Sequence, residues 1–113
     1  MIRQTIIRKY CKQYDVPLIL QRYWEDHPHC EVNHCWRWSD FPHHIRTRGA
    51  GGTNNHENLL ALCTEHHNEI HFRGVKTFAA DHPEVEQKIL RALEDPWKNF
   101  DTREHRREAN SRF

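Results

Sequence analysis

Ile2, Ile6 and Ile7, then Tyr10, Cys11 and Tyr14, recur at the three- and four-residue intervals of one helix face. Val16-Pro17 ends that helix near Asp15, because the residue before a proline is driven out of helical conformation. Leu18, Ile19, Leu20, Tyr23 and Trp24 form a second apolar run that fits a strand or a helix. Residues 41–45 read as a short strand, which Pro42 confines to a sheet edge or to a first position. Leu59, Leu60, Ala61 and Leu62 supply the returning strand. Thr64 is placed to cap a helix running through His71, with Glu65 in its first turn to suit the dipole. After Gly74 the chain again reads as helix, with Pro83 near a helix start of its own. Val85, Ile89 and Leu93, with Leu90, form its apolar stripe.

This pattern divides the chain into an N-terminal flanking segment (1–29), a core (30–74), a helical support (75–95) and a polar tail (96–113). The fold class expected is α+β, a β-hairpin and helix with flanking helices. Between the two strands lies RTRGAGGTNNHEN, a loop with three glycines, three asparagines and no apolar side chain larger than alanine. A loop of about a dozen residues in so small a domain is usually functional. The tail has five basic and three acidic residues and helical character over TREHRREAN, which suits DNA contact and plain solvation equally.

Composition adds a reason to look for a metal. Only 36% of the 113 residues are hydrophobic and the mean hydropathy is −1.01, so the core is expected to be thin. Four cysteines and eleven histidines offer a structural metal as a supplement. No export signal and no apolar run of membrane-spanning length is visible. The expectation is therefore an intracellular protein, free of the membrane, with reduced thiols that favour metal over disulfide. A net charge of +1 decides nothing about nucleic acid. Its distribution says more, since Arg37, Arg46 and Arg48 surround His43-His44 with only Asp40 opposing, whereas residues 84–95 are acidic.

Cys30 and Cys35 form a C-x4-C pair, with His34 as an alternative ligand in the same turn. Cys63 and His66 form a C-x2-H pair. Two such pairs separated by a hairpin are a usual layout for tetrahedral zinc, and the rival reading makes the three cysteines small core residues. Cys11, far from the others, is expected to be an ordinary buried thiol. Trp36 and Trp38 are expected in core and sheet packing. On the helix after Cys63, His67 and His71 share one face, while Cys63 and His66 share the adjacent one.

From Cys30 to His71 the chain resembles the HNH endonucleases and their ββα-metal fold, most closely the small HNH proteins of bacteriophages and prophages. The residues that carry the resemblance are His43-His44-Ile45, then Asn58-Leu-Leu-Ala-Leu-Cys63, then His66-His67 and His71. In order they give H-x13-N-x8-H over His44, Asn58 and His67, followed by H-x3-H to His71. Two spacings depart from the family's common zinc pattern: Cys30 and Cys35 are wider than C-x2-C, and His66 stands where a cysteine is usual.

The resemblance implies a division of labour. His44 would be the general base for the attacking water, suited by a histidine pKa near neutrality. His43, His67 and His71 would hold the catalytic divalent ion, and Asn58 would bridge the loop and fix the imidazole of His44. Cys30, Cys35, Cys63 and His66 would hold a structural zinc. Many relatives carry Asp where His43 stands, and three imidazoles favour Zn, Ni or Co over Mn or Mg. Arg46 and Arg48 would meet DNA phosphates, with glycines letting the backbone come close, although solvated loop arginines are the plain alternative. The function implied is nicking of double-stranded DNA in a bacterial or infected-cell cytoplasm, in phage DNA processing or packaging. Its rivals are a non-catalytic zinc-stabilised DNA-binding module and an interaction protein that meets phage terminase components.

Overall fold

Val16 and Pro17 separate the helices α1 (Ile2–Gln13) and α2 (Leu18–Asp26). The computed structural model describes residues 2–94, so the helix and DNA contact expected of the tail lie outside the described residues. The second apolar run is thus helix, burying Leu20, Tyr23 and Trp24 at three- and four-residue spacing. On α1 Ile7 and Cys11 of the expected face are buried and pack on Trp24, while Ile6, Tyr10 and Tyr14 remain exposed. Cys11 is the ordinary buried thiol expected, pushed up from its usual pKa by burial and then by Glu25.

The hairpin is shorter than the sequence suggests. Strand β1 is His43–His44 and β2 is Leu59–Leu60, paired antiparallel with His43 opposite Leu60 and His44 opposite Leu59. Pro42 has no N–H to extend β1. The remaining backbone of the apolar run is engaged elsewhere: Asp40 N–H donates to Leu62 O at 2.7 Å and Glu31 N–H to Ala61 O at 2.7 Å. The Glu31 carboxylate returns the clasp by accepting from Ala61 N–H at 2.7 Å. Side chains of the run alternate between two clusters. Leu60 and Leu62 enter the larger one, and Leu59 and Ala61 meet Leu20 and Tyr23. Burial on both faces is why LLAL is a continuous apolar run rather than an alternating one. Each such leucine contributes on the order of 1.5–3 kcal/mol, so this run is the main anchor of the fold.

Helix α3 (Thr64–Arg73) begins one residue earlier than expected, because Cys63, not Thr64, is its N-cap: its Sγ accepts from His66 N–H. Gly74, at φ 89°, turns the chain into α4 (Val75–Asp81), and His82 separates that helix from α5 (Pro83–Glu94). Along α5 the buried stripe is Val85, Ile89 and Ala92, with Leu93 packed against it; Leu90, expected in the stripe, is exposed. Among the described residues the architecture is α+β, five α-helices and one two-stranded antiparallel sheet. No described helix is long and apolar enough to cross a membrane.

The expectation for the two tryptophans fails. Trp36 is 82% exposed and Trp38 52%. The 30–38 segment folds back on itself, Cys30 N–H to Arg37 O at 3.0 Å, and leaves no sheet for either to pack on. Trp38 instead stacks on His29, with ring centroids 4.6 Å apart.

Candidate metal centre

The Cys63 cap places one sulfur at the first turn of α3 and His66 directly above it. Their separation, Sγ to Nδ1, is 3.2 Å. Cys30 Sγ lies 3.4 Å from the same nitrogen. Cys35, brought round by a turn whose N–H bonds to Val32 O at 3.1 Å, sets its sulfur 3.8 Å from that of Cys63. A tetrahedral zinc with its usual bond lengths has edges of roughly 3.8 Å between sulfurs and roughly 3.5 Å between sulfur and nitrogen. The three distances lie near those edges, and all four ligand atoms lie within 4.8 Å of one another, so the group could hold a metal ion. A disulfide does not explain the group, since all four cysteines are free and S–S bonding needs about 2 Å. His34 is exposed at φ 62° and lies outside the group.

The thiols differ electrostatically. Burial pushes Cys30 up to about 12. Burial also acts on Cys63, but the His66 N–H and then the neighbouring thiols outweigh it and bring its pKa below the usual value. A helix N-terminus favours that thiolate, so Cys63 is the sulfur best prepared to receive a cation.

One turn further along α3, His67 and His71 face His43 of β1 across ring-centroid distances of 5.2 and 5.0 Å. Each offers a nitrogen within 4.8 Å of the others. His43 is the most enclosed and His71 the most exposed, so the group opens to solvent at one side. Burial and then the neighbouring His67 and His71 lower the pKa of His43 to about 4. It stays neutral, as a metal ligand must. His67 Nδ1 meets Asp40 Oδ2 at 3.3 Å, which leaves Nε2 as its free ring nitrogen.

His44, next to His43, faces elsewhere. Its Nε2 lies 2.8 Å from Asn54 Oδ1. Asn58, expected on that imidazole, is fully buried and spends its amide on backbone: Oδ1 accepts from Arg46 N–H at 2.8 Å, and Nδ2 donates to Arg46 O at 3.0 Å and Thr53 O at 2.9 Å. It bridges the loop, as anticipated, but the contact to His44 belongs to Asn54.

The arginines are more engaged than their sequence positions suggest. Arg46 donates to Leu93 O at 2.9 Å and so caps the C-terminal turn of α5. Arg48 donates to Gly52 O, and Arg37 pairs with Glu65. Gly52 is where the loop crosses itself. A Cβ there would sit 1.8 Å from Arg46 O, so only glycine fits.

Among the described residues three groups could hold an ion, and the third, His66, Glu69 and His82, has no counterpart in the sequence expectations. His82 Nε2 meets Glu69 Oε2 at 2.6 Å. The signal available was His66 and Glu69 three apart on one helix; His82 comes to them only through the turn at Gly74. Asp40 and Asn54 were equally illegible as partners, because a single carboxylate or amide near a histidine has no spacing rule. No family model, curated protein or solved structure matches this chain.

Proposed function

We propose that the chain is a metal-dependent endonuclease of the HNH type, built on a ββα-metal core, that hydrolyses phosphodiester bonds in DNA by nicking one strand. The observation that carries this reading is the split between two adjacent histidines. His43 sits among His67 and His71, while His44 is held apart on Asn54. A site that only bound metal has no use for the second.

His43, His67 and His71 are the residues that would hold the divalent ion, and three imidazoles favour Zn, Ni or Co. Such an ion supplies positive charge to the phosphate oxygens as charge develops on them. His44 takes the proton of the attacking water. Asp40 keeps His67 oriented, and Asn58 and Gly52 hold the loop that brings Asn54 to His44. Arg46 and Arg48, which donate to Leu93 O and Gly52 O, are the loop arginines assigned to DNA phosphate. The Cys30, Cys35, Cys63 and His66 group is assigned to structural zinc, supported by four Cys and His ligands and by three ligand distances near the edges of a zinc tetrahedron.

The test is relaxation of supercoiled plasmid in Mg²⁺, Mn²⁺, Ni²⁺, Co²⁺ and Zn²⁺, with His44→Ala as control. Nicking lost in His44→Ala, with fold and DNA binding retained, is the expected result. DNA binding without cutting in any of the five metals would instead select the non-catalytic zinc-stabilised module.

A further inference from the structure

We propose that Asn54 is the positioning residue for His44, fixing it in the tautomer that carries its proton on Nε2 and leaves Nδ1 as the base. The inference rests on the nuclease reading for its consequence, but the tautomer itself does not.

The geometry is local and complete. Asn54 Oδ1 lies 2.8 Å from His44 Nε2. An amide oxygen only accepts, so the imidazole nitrogen facing it must carry hydrogen. In a neutral ring the other nitrogen then holds the lone pair. Asn54 is itself held by its neighbours. Thr53, 5% exposed, accepts from Asn55 N–H through Oγ1 at 3.2 Å, and its carbonyl takes the Asn58 amide at 2.9 Å. Both sides of Asn54 are thereby tied to the buried Asn58, and on the other strand Ile45 N–H donates to Asn58 O at 2.8 Å. Asn58 acts on His44 through Thr53 and Asn54, not by touching it.

In the reaction, water loses a proton to His44 Nδ1 as its oxygen bonds to phosphorus and the bond to the 3′ oxygen breaks. The leaving oxygen takes a proton from solvent, and the imidazolium later returns its proton to solvent. Throughout, Nε2–H stays on Asn54 Oδ1.

The test uses the full chain labelled with ¹⁵N, in wild-type, Asn54→Ala and Asn54→Asp forms. Long-range proton–nitrogen correlation of His44 should show the Nε2–H tautomer in the wild type and in Asn54→Asp, which keeps an acceptor. Asn54→Ala should show a mixture. On plasmid, Asn54→Ala should lose about tenfold to a hundredfold in kcat with KM little changed, and Asn54→Asp should recover most of it. A wild-type His44 protonated on Nδ1, or a tautomer unmoved by Asn54→Ala, overturns the proposal. If the wild type cuts nothing while the tautomer responds as described, the nuclease reading falls and the positioning stands.

Discussion

The amide of Asn58 closes a two-way clasp on the backbone of Arg46, accepting from its N–H at 2.8 Å and donating to its carbonyl at 3.0 Å. A third bond, to Thr53 O at 2.9 Å, extends the clasp to the far end of the loop. The side chain is fully buried, so its loss leaves the N–H and both carbonyls without their partner. A net hydrogen bond is worth about 1 kcal/mol and an orphaned buried group costs about 1–3 kcal/mol, so Asn58→Ala should destabilise by about 3 kcal/mol. Urea denaturation checks this, with a lower midpoint and unchanged slope. A loss under about 1 kcal/mol would show that the clasp is not what closes the loop.

Gly52 and Gly49 lie in the same loop and should respond oppositely to alanine. At Gly52 a methyl would overlap the Arg46 carbonyl oxygen, a backbone atom that cannot rotate away. At Gly49 there is open space within 4 Å. Gly52→Ala should therefore cost more than about 3 kcal/mol, whereas Gly49→Ala should change stability by less than about 0.5 kcal/mol. Thermal melts of the two variants separate a glycine needed for packing from one that is not. Equal melts would show that the loop does not need the close approach at Gly52.

What was legible in the sequence follows from where short-range rules apply. Helical spacing located α1, α3 and α5, ligand spacing located the cysteine group and the His67 and His71 pair, and the resemblance to HNH endonucleases added His43. The missed features are long-range or depend on which backbone groups are already taken. Two-residue strands were not foreseeable because the partners of Ala61 and Leu62 are Glu31 and Asp40, far away in sequence. Cys63 displaced Thr64 as cap because its sulfur faces the N-terminus of α3 and the metal group at once. Trp36 misled because its alternation with polar neighbours suggests one buried face of a strand, whereas the 30–38 segment makes only an isolated bridge, His29 to Trp38.

The two candidate centres should separate under mutation. Cys30 and Cys63 are 7% and 1% exposed, and without an ion the group leaves thiols in the main core cluster. Binding free energy at such a site is folding free energy. Elemental analysis should find two ions per chain in the wild type. Cys30→Ser should lose one ion together with cooperative unfolding, while His67→Ala should lose the other and still unfold cooperatively. A single ion per chain, with Cys30→Ser well folded, would remove the structural zinc.

His43 makes stability depend on pH in a definite sense. In the folded protein, burial and neighbouring imidazoles keep its pKa at about 4, whereas the unfolded chain should titrate near about 6.5. Between those values the unfolded state binds a proton that the folded state refuses. Its contribution is therefore fully present above about pH 6.5 and is lost as pH falls towards about 4, by at most about 3 kcal/mol. The measurement is a double difference: urea stability of wild type minus His43→Gln, at about pH 7 and about pH 4, in buffer free of chelator and of added transition metal. Groups unaffected by the substitution cancel, including Glu25 and Glu84, whose pKa values lie below the usual carboxylate range despite burial because hydrogen bonds outweigh it. The wild type should lose more than the variant on acidification. If the two lose the same, His43 is not held neutral by its burial against His67 and His71, and the enclosed geometry of the histidine centre is wrong.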